Sequence, residues 1–292
     1  MKIQEINGDL ILKDVDSFSL GDIFDCGQCF RWEKILPDTY EGVAFGRALR
    51  ISRNENEVIL HSTSREDFDK IWYRYFDFDT DYGRIKKKLS DDRVLKEAIG
   101  YGEGIRILCQ DLWECVVSFI ISASNNIPRI KKIIASLCEN FGDEIIYEGK
   151  RYFTFPDPEK ISSLTLDELS VIKAGFRDKY ILSVAKSFAA GEIKAEDFAG
   201  LTTDEARERL KKLPGVGNKV ADCILLFSLS KRDSFPVDVW VKRIMEYCYF
   251  GEETGIDEIS RFAGEKFGEL GGYAQQYLFF YARENKIGLK ER

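Results

Sequence analysis

A lysine and an aspartate that follow a glycine-rich turn have side chains suited to covalent catalysis. The turn is LPGVG at residues 213–217, Lys219 comes two residues later, and Asp238 lies in FPVDVW. An amine in the first turn of a helix faces the positive end of the dipole, which favours the neutral nucleophile that Schiff-base chemistry needs. A nearby carboxylate stabilises developing positive charge and steers a proton. The segment predicts an amine nucleophile with a carboxylate partner.

The turn itself is suited to binding another molecule. We predict that one helix ends at Leu213 and that a second begins at Asn218. Gly215 and Gly217 are expected to take positive φ and to allow close approach of the backbone. The free N–H groups at the start of the second helix would then bind a phosphate without a basic side chain.

Each of these features also has a purely structural explanation. A G-x-G turn between two helices is common as an ordinary helix corner, and a lone lysine such as Lys219 is typical of a solvated surface. Asp238 is equally suited to be the N-cap of the helix that follows it. On these residues alone, the alternatives stay open.

The elements that position these residues follow from the hydrophobic pattern. The first 65 or so residues alternate as strands do, which predicts an antiparallel sheet with a hairpin at Asn54 to Glu57. From Arg65 onward the apolar residues recur at helical spacing, as in IPRIKKIIASLCENFG. We therefore predict an α+β protein: a sheet domain with flanking helices at 1–100, packed on a helical domain at 101–292.

Composition excludes several classes of protein. Of the 292 residues, 44% are hydrophobic and 32% charged, which excludes a disordered or low-complexity chain. The 43 basic and 50 acidic residues give a net charge of −7, which counts against indiscriminate coating of nucleic acid. Seven cysteines, an odd number, and an N-terminus without a signal-peptide pattern predict reduced thiols in a protein that is not secreted. The single histidine, His61, makes Ser-His-Asp or multi-histidine metal chemistry improbable.

Residues 210–240 resemble the helix-hairpin-helix and aspartate segment of the DNA glycosylase superfamily, specifically its 8-oxoguanine DNA glycosylase/AP lyase branch. Four further segments resemble that branch in the same order: GQCFRW at 27–32, CQDLWECVVSFIISASNNIPRI at 109–130, AGFRDKY at 174–180 and YAQQYLFF at 273–280. The resemblance covers most of the chain. It implies a TBP-like antiparallel sheet domain and a helix-hairpin-helix motif at about 203–229.

The resemblance also implies a bifunctional enzyme of base excision repair. Lys219 would attack C1′ of a flipped 8-oxoguanine nucleotide, giving an imine whose β-elimination nicks the strand, while Asp238 assists. The base-recognition residues that it implies are Gly27, Cys223, Pro236, Gln275 and Phe279. The resemblance places the base between the Phe279 ring and the Cys223 thiol. Gln275 would bond its Watson–Crick edge, and the Gly27 carbonyl would accept the N7–H that guanine lacks. Without the resemblance, the ring and the thiol are typical of core packing.

Contacts to DNA are implied at a second set of residues, several of which depart from the family pattern. The set is Asn125, Asn126, Arg129, Phe176, Arg177, Gly215, Val216, Gly217 and Trp240. Ser124 stands where relatives commonly carry a further asparagine, Phe176 replaces a tyrosine-type wedge, and Trp240 stands where some relatives carry histidine. The weaker wedge at Ser124 predicts looser selectivity for the base opposite the lesion.

The implied partner is double-stranded DNA with 8-oxoguanine opposite cytosine, bound by a monomer. The resemblance implies no required cofactor, and it implies a monovalent cation held by the backbone carbonyls of Lys211, Leu213 and Val216. An iron–sulphur cluster would need four cysteines after Cys248, and none follows. A monofunctional alkylated-base glycosylase would not need Lys219, and a non-enzymatic binding module would need neither Lys219 nor Asp238. The compartment would be the nucleoid in a prokaryote and the nucleus in a eukaryote.

Overall fold

The first part of the chain forms a six-stranded antiparallel sheet, as predicted. The structure is a computed structural model that describes residues 1–54 and 57–289. The strand order is β1-β2-β6-β5-β4-β3. The strands are β1 (Lys2–Ile6), β2 (Asp9–Lys13), β3 (Trp32–Leu36), β4 (Thr39–Ala44), β5 (Arg47–Arg53) and β6 (Glu57–His61). In the predicted hairpin between β5 and β6, Asn54 donates its backbone N–H to the Glu57 carbonyl, while residues 55 and 56 lie outside the described residues.

One face of this sheet is buried because its side chains alternate. Leu10 and Leu12 of β2 lie inward and pair with Leu60 and Val58 of β6. Aromatic side chains complete this first core, among them Phe18, Phe24, Trp32, Trp72 and Phe76. Such a core makes the sheet a rigid support for the loops at its edge.

The rest of the chain is mostly helical and closes a second core. The helices are α1 (Leu20–Phe24), α2 (Arg65–Asp67), α3 (Tyr73–Tyr75), α4 (Tyr82–Leu89), α5 (Arg93–Tyr101), α6 (Leu112–Ser122), α7 (Ile127–Phe141), α8 (Pro158–Ser162), α9 (Leu166–Leu169), α10 (Asp178–Ala189), α11 (Thr203–Leu210), α12 (Asn218–Phe227), α13 (Val239–Met245), α14 (Ile256–Phe267) and α15 (Gly271–Glu284). A π-helical turn, Phe68–Trp72, joins α2 to α3, and another, Glu246–Phe250, extends α13. None of the described helices is long and apolar enough to cross a membrane.

The second core lies around α6 and α12, which are buried on nearly every side. Nine of the eleven residues of α6 and eight of the ten residues of α12 are buried. A small hairpin, β7 (Glu144–Tyr147) and β8 (Lys150–Phe153), follows α7 and was not predicted from the sequence. The Tyr147 hydroxyl donates to the His61 carbonyl at 2.7 Å, which fastens this hairpin to the first sheet. Both ring nitrogens of His61 are occupied by Ser52 and Asp9.

Buried polar side chains join the two cores. The Arg106 guanidinium is buried and donates to the carbonyls of Asp16, Ser17 and Asp77. The buried Gln28 amide donates to the Arg106 carbonyl at 2.8 Å, and its oxygen accepts the Leu108 N–H at 2.9 Å. Because polar groups in a core are tolerated only when they are hydrogen-bonded, these contacts set one geometry for the junction.

Candidate active site

The predicted turn lies between α11 and α12, and its two glycines differ in conformation. Gly215 has φ +84°, and a Cβ added there would lie 2.9 Å from the ring of Tyr180, so glycine is required. Gly217 has φ −95°, and the prediction of positive φ is wrong for it because Gly217 is the N-cap of α12, where extended backbone is usual. Its missing side chain leaves open space instead.

The helices on either side begin and end close to the predicted residues. The first helix, α11, ends at Leu210 rather than at the predicted Leu213, because residues 211–213 tighten into turns with 3.0 Å and 3.3 Å hydrogen bonds. The second, α12, begins at Asn218 as predicted. The turn therefore directs the first N–H groups of α12 outward, beside open space at Gly217.

Lys219 lies in the first turn of α12, with its amine held between a hydroxyl and a ring. The amine lies 3.4 Å from Ser122 Oγ, to which it donates, and 5.1 Å from the centre of the Phe119 ring. Its side chain is half-buried. These contacts restrict the amine to one direction while leaving it accessible.

Asp238 is the N-cap of α13 and lies beside Lys219. Its Oδ1 accepts the N–H groups of Trp240 and Val241 at 2.9 and 2.8 Å, and its Oδ2 has no hydrogen-bond partner among the described residues. Burial raises the pKa of Asp238, while the Val241 N–H and the charge of Lys219 act in the opposite direction. The structural role and the chemical role therefore coexist: one oxygen caps the helix and the other remains free.

The loop at Gly27 leaves one carbonyl free. The neighbouring carbonyls of Asp25, Cys26 and Gln28 accept hydrogen bonds from Arg283, Gln276 and Gln110 respectively. Among the described residues, no donor reaches the Gly27 carbonyl. Gly27 has φ +80°, and a Cβ there would lie 3.1 Å from the Phe279 ring. The free carbonyl is thus held in place beside that ring.

The remaining predicted base-recognition residues lie on α12 and α15 and before α13. Gln275 is only 4% exposed, and its buried Oε1 has no hydrogen-bond partner in the described part of the chain. Cys223 lies one turn after Lys219, and burial raises the pKa of its thiol to about 11, so it is uncharged at neutral pH. Pro236 is buried two residues before Asp238. A buried acceptor without a partner needs an explanation, and a ligand provides one.

The predicted DNA contacts around the end of α6 are divided between exposed and buried side chains. Asn126 is the N-cap of α7 and accepts the Arg129 N–H at 3.0 Å, and the Arg129 side chain is exposed. Asn125 donates to the Ile121 carbonyl at 3.1 Å. Ser124, between the two helices, has φ +50°. Each asparagine side chain therefore forms at least one hydrogen bond that stabilises the turn.

Arg177 is buried rather than free at the surface. Its guanidinium donates to the carbonyls of Ala123, Ser124 and Ala174 and stacks on the Phe176 ring at 4.4 Å. Desolvation lowers its pKa, and the charge of Arg129 acts in the same direction. Phe176 itself is 59% exposed. Arg177 thus holds the turn at Ser124 and supports an exposed ring.

Comparisons with known proteins agree with this arrangement. Residues 10–116 match the family described as 8-oxoguanine DNA glycosylase, N-terminal domain, and residues 117–268 match that described as HhH-GPD superfamily base excision DNA repair protein. The chain is 38% identical to the N-glycosylase/DNA lyase of Saccharomyces cerevisiae, covering 79% of this chain and 68% of the relative. It is 32% identical to a probable N-glycosylase/DNA lyase of Methanothermobacter thermautotrophicus, covering 80% and 79%.

The chain belongs to the HhH-GPD superfamily of base excision DNA repair proteins. Within that superfamily it belongs to the 8-oxoguanine DNA glycosylase branch. Its fold matches the Clostridium acetobutylicum 8-oxoguanine glycosylase/lyase in complex with double-stranded DNA containing cytosine opposite 8-oxoG. The TM-score is 0.95 at 44% identity, over 98% of this chain and 99% of that one.

This HhH-GPD protein has an open cavity of about 1160 Å³ between α11, α12 and α14. Lys219 lines it, but the predicted base-recognition residues do not. Six acidic side chains line the cavity: Asp204, Asp222, Asp233, Asp257, Glu265 and Glu269. Because an acidic lining repels phosphate, we do not assign this cavity to the flipped base.

In this HhH-GPD protein, three glutamines that support the site were not singled out from the sequence. Gln28 and Gln110 hold the loop on one side of Gly27, and Gln276 holds Cys26 on the other at 3.0 Å. Gln28 and Gln276 are at most 1% exposed. A glutamine inside an apolar run, as in GQCFRW and AQQYLFF, is the signal that would have found two of them.

Trp240 and the turn carbonyls complete the predicted set. Trp240 is the second residue of α13, half-buried, and the Arg243 guanidinium lies 5.0 Å from its ring centre. The Leu213 carbonyl accepts the Val216 N–H at 3.1 Å, whereas those of Lys211 and Val216 accept no loop hydrogen bond among the described residues. The turn therefore retains unused carbonyl oxygens.

Proposed function

We propose that the protein excises 8-oxoguanine from duplex DNA and then cleaves the abasic strand. The observation that carries this proposal is the placement of Lys219 and Asp238. A half-buried amine in the first turn of α12 and a carboxylate with one oxygen free of partners among the described residues lie close enough for their charges to interact, and the turn at 213–217 directly precedes the amine. Similarity to an N-glycosylase/DNA lyase and to an 8-oxoguanine glycosylase/lyase supports both steps.

In this mechanism Lys219 is the nucleophile. The damaged nucleotide leaves the stack because its glycosidic bond cannot be reached inside the duplex. The Lys219 amine attacks C1′ as the C1′–N9 bond breaks, and the electron pair of that bond leaves with the base. Loss of a proton and ring opening give an imine, whose β-elimination breaks the 3′ C–O bond. Asp238 stabilises the positive charge that develops at the sugar.

The base would be read by groups that have unused hydrogen-bonding capacity. Phe279 and Cys223 would enclose its two faces, and Gln275 would bond its Watson–Crick edge. The free Gly27 carbonyl would accept the N7–H of the lesion, whereas guanine presents a lone pair there and is repelled. Such a difference is worth about 1–3 kcal/mol.

The duplex would be held at the turns that border this site. The amides of Gly215, Val216 and Gly217 and of the start of α12 would bind a phosphate, and Trp240 would donate its indole N–H to another. The gap in the duplex would be filled, and the unpaired cytosine contacted, by Asn125, Asn126, Arg129 and Phe176. Arg177 is buried and would act through the turn that it holds.

We also propose a monovalent cation at the carbonyls of Lys211, Leu213 and Val216. The oxygens of Lys211 and Val216 accept no loop hydrogen bond among the described residues, and the Leu213 oxygen, which accepts one, keeps a second lone pair for the cation. When bound, the cation would add positive charge near a phosphate. We further propose that the protein acts as a monomer without another cofactor, in the nucleoid or nucleus, where its substrate lies.

Borohydride trapping tests the proposed function. Reduction of the imine should give a covalent complex between wild-type protein and an 8-oxoguanine duplex, seen as a slower band on a denaturing gel. Lys219→Gln should abolish the complex because it removes the amine. Lys96→Gln is the matched control, since Lys96 is exposed on α5, and should trap as well as wild type.

Abasic and alkylated duplexes are assayed in parallel. The abasic duplex should also be trapped, and the alkylated duplex should not be excised. Wild-type protein that forms no adduct with either the 8-oxoguanine or the abasic duplex would show that the lyase assignment is wrong.

A further inference from the structure

Helix α15 presents an acceptor, a ring and a donor along one face. Gln275, Phe279 and Arg283 are four residues apart and so lie above one another on the helix. Gln275 Oε1 and Arg283 Nη1 are both buried, and neither has a hydrogen-bond partner within residues 1–54 and 57–289. An unpaired buried donor costs free energy, and a charged donor costs more. Two such atoms on either side of one ring point to a ligand that supplies both partners.

The other nitrogens of Arg283 hold its guanidinium in place. Nη2 donates to the Asp25 carbonyl, and Nε donates to Glu284 at 2.9 Å. The guanidinium lies 5.4 Å from the Phe279 ring centre, and the side chain is 16% exposed. Arginine stays protonated at any physiological pH. Nη1 is therefore a fixed, charged donor that has no acceptor in the part of the chain that the structure describes.

Nη1 lies next to the loop that carries the free Gly27 carbonyl. A Cβ built on Gly27 would lie 3.2 Å from Nη1. A base whose N7–H is bonded to that carbonyl presents O6 and O8 on either side of N7. A donor beside Gly27 therefore lies near one of these two oxygens.

We propose that Arg283 is a further specificity-determining residue, whose Nη1 donates a charge-assisted hydrogen bond to the exocyclic oxygen next to N7–H of the flipped base. This inference rests on the proposed function. Arg283 and Gly27 then read adjacent atoms as a donor and an acceptor, a pattern that a guanine lacking N7–H does not complement.

Arg283→Met tests the inference, because methionine retains the apolar stem and removes the donor. We expect single-turnover excision of 8-oxoguanine to fall by about tenfold to a hundredfold, while the rate of nicking at a preformed abasic site, which has no base, changes by less than about threefold. Arg93→Met is the matched control: Arg93 is 92% exposed on α5, and excision should stay at the wild-type rate.

Measurements of DNA binding then show whether Nη1 contacts O6 or O8 of the flipped base. In the Lys219→Gln background, the dissociation constants for 8-oxoguanine, 8-oxoadenine and guanine duplexes are measured with and without Arg283→Met. A loss of affinity for both oxidised bases assigns O8, and a loss for 8-oxoguanine alone assigns O6, since 8-oxoadenine has an amino group there. Either result supports the proposal.

Three results would overturn the inference. One is excision of 8-oxoguanine by Arg283→Met at the wild-type rate. Another is an equal fall in excision and abasic nicking, which indicates that Arg283 only supports the fold. The third is an equal loss of affinity for all three duplexes. Failure of the proposed function is distinguishable, since it appears as a wild-type protein that excises no 8-oxoguanine.

Discussion

Asp238 shows how one side chain serves the fold and the chemistry together. Its Oδ1 caps α13 through two backbone N–H groups, which holds the carboxylate in position, and Oδ2 has no partner among the described residues. Burial raises its pKa by disfavouring the ionised form. The ionised form is the one that stabilises positive charge. Keeping Asp238 ionised in this buried position therefore lowers the free energy of unfolding at neutral pH.

Asp238→Asn separates the two roles. Asparagine caps helices about as well as aspartate, so the free energy of unfolding at neutral pH should stay equal or rise, because the cost of burying the charge is removed. Excision should fall by roughly 10²–10⁴-fold. Chemical denaturation and single-turnover excision measure these effects.

The pH dependence follows from the raised pKa of Asp238. Wild-type excision should increase with pH as Asp238 loses its proton, with a midpoint above the ordinary value of about 3.9. The residual excision by Asp238→Asn should lack this acid limb. An acid limb that persists unchanged in the variant would assign the titration to another group.

At the scale of elements, the turn between α11 and α12 depends on two glycines for different reasons. Gly215 has a positive φ, and the Tyr180 ring leaves no space there for a side chain. Gly217 has ordinary backbone and open space beside it. The first glycine therefore shapes the turn, and the second allows a phosphate to approach.

Replacing each glycine with alanine in turn tests these two roles separately. Gly215→Ala should lower the free energy of unfolding by about 1–3 kcal/mol, through backbone strain and the clash with Tyr180. Gly217→Ala should change stability by under about 1 kcal/mol and weaken DNA binding instead. Urea denaturation and a duplex-binding assay give the two readouts. Equal loss of stability in both variants would contradict this division of roles.

At the scale of the molecule, the net charge of −7 coexists with a small basic surface. The sequence places several basic residues together between 207 and 219, but the structure pairs most of them with acids. Arg207 bonds Asp204 and Asp222, Arg209 bonds Asp197, and Lys211 bonds Glu208. Lys212, Arg129 and Lys132 form no ion pair within the described residues. Few charges of the 207–219 segment are therefore free to neutralise phosphates.

The salt dependence of DNA binding measures this surface. Lys212→Gln should weaken binding to damaged and undamaged duplexes alike and reduce the slope of log K against log salt by about 0.9, as expected for one phosphate contact. Lys211→Gln is the matched control, since its charge is already paired with Glu208 at 2.8 Å. If both variants reduce the slope equally, an ion pair with an acidic side chain does not prevent a lysine from contacting a DNA phosphate.

The sequence predicted the elements better than the side-chain contacts. Alternation in GDLILKD and EVILHS, and the turn before Asn218, depend on neighbours along the chain, so the sheet and the start of α12 could be predicted. Arg177 looks like a surface charge in GFRDKY, yet it is buried against carbonyls that lie 53 and 54 residues away along the chain. Such contacts depend on the packing of separate helices, which local periodicity does not specify.

By itself, the sequence determined the α+β class, the antiparallel sheet, the turn and the first-turn position of Lys219, because hydrophobic period, glycine and capping residues act over a few residues. Only the tertiary structure decided that, among the described residues, the Gly27 carbonyl accepts no hydrogen bond while its neighbours do, and that Arg283 Nη1 lies near Gly27 without a partner there. Hydrogen-bond satisfaction in a core is a property of segments that are far apart along the chain. It exists only once they have packed.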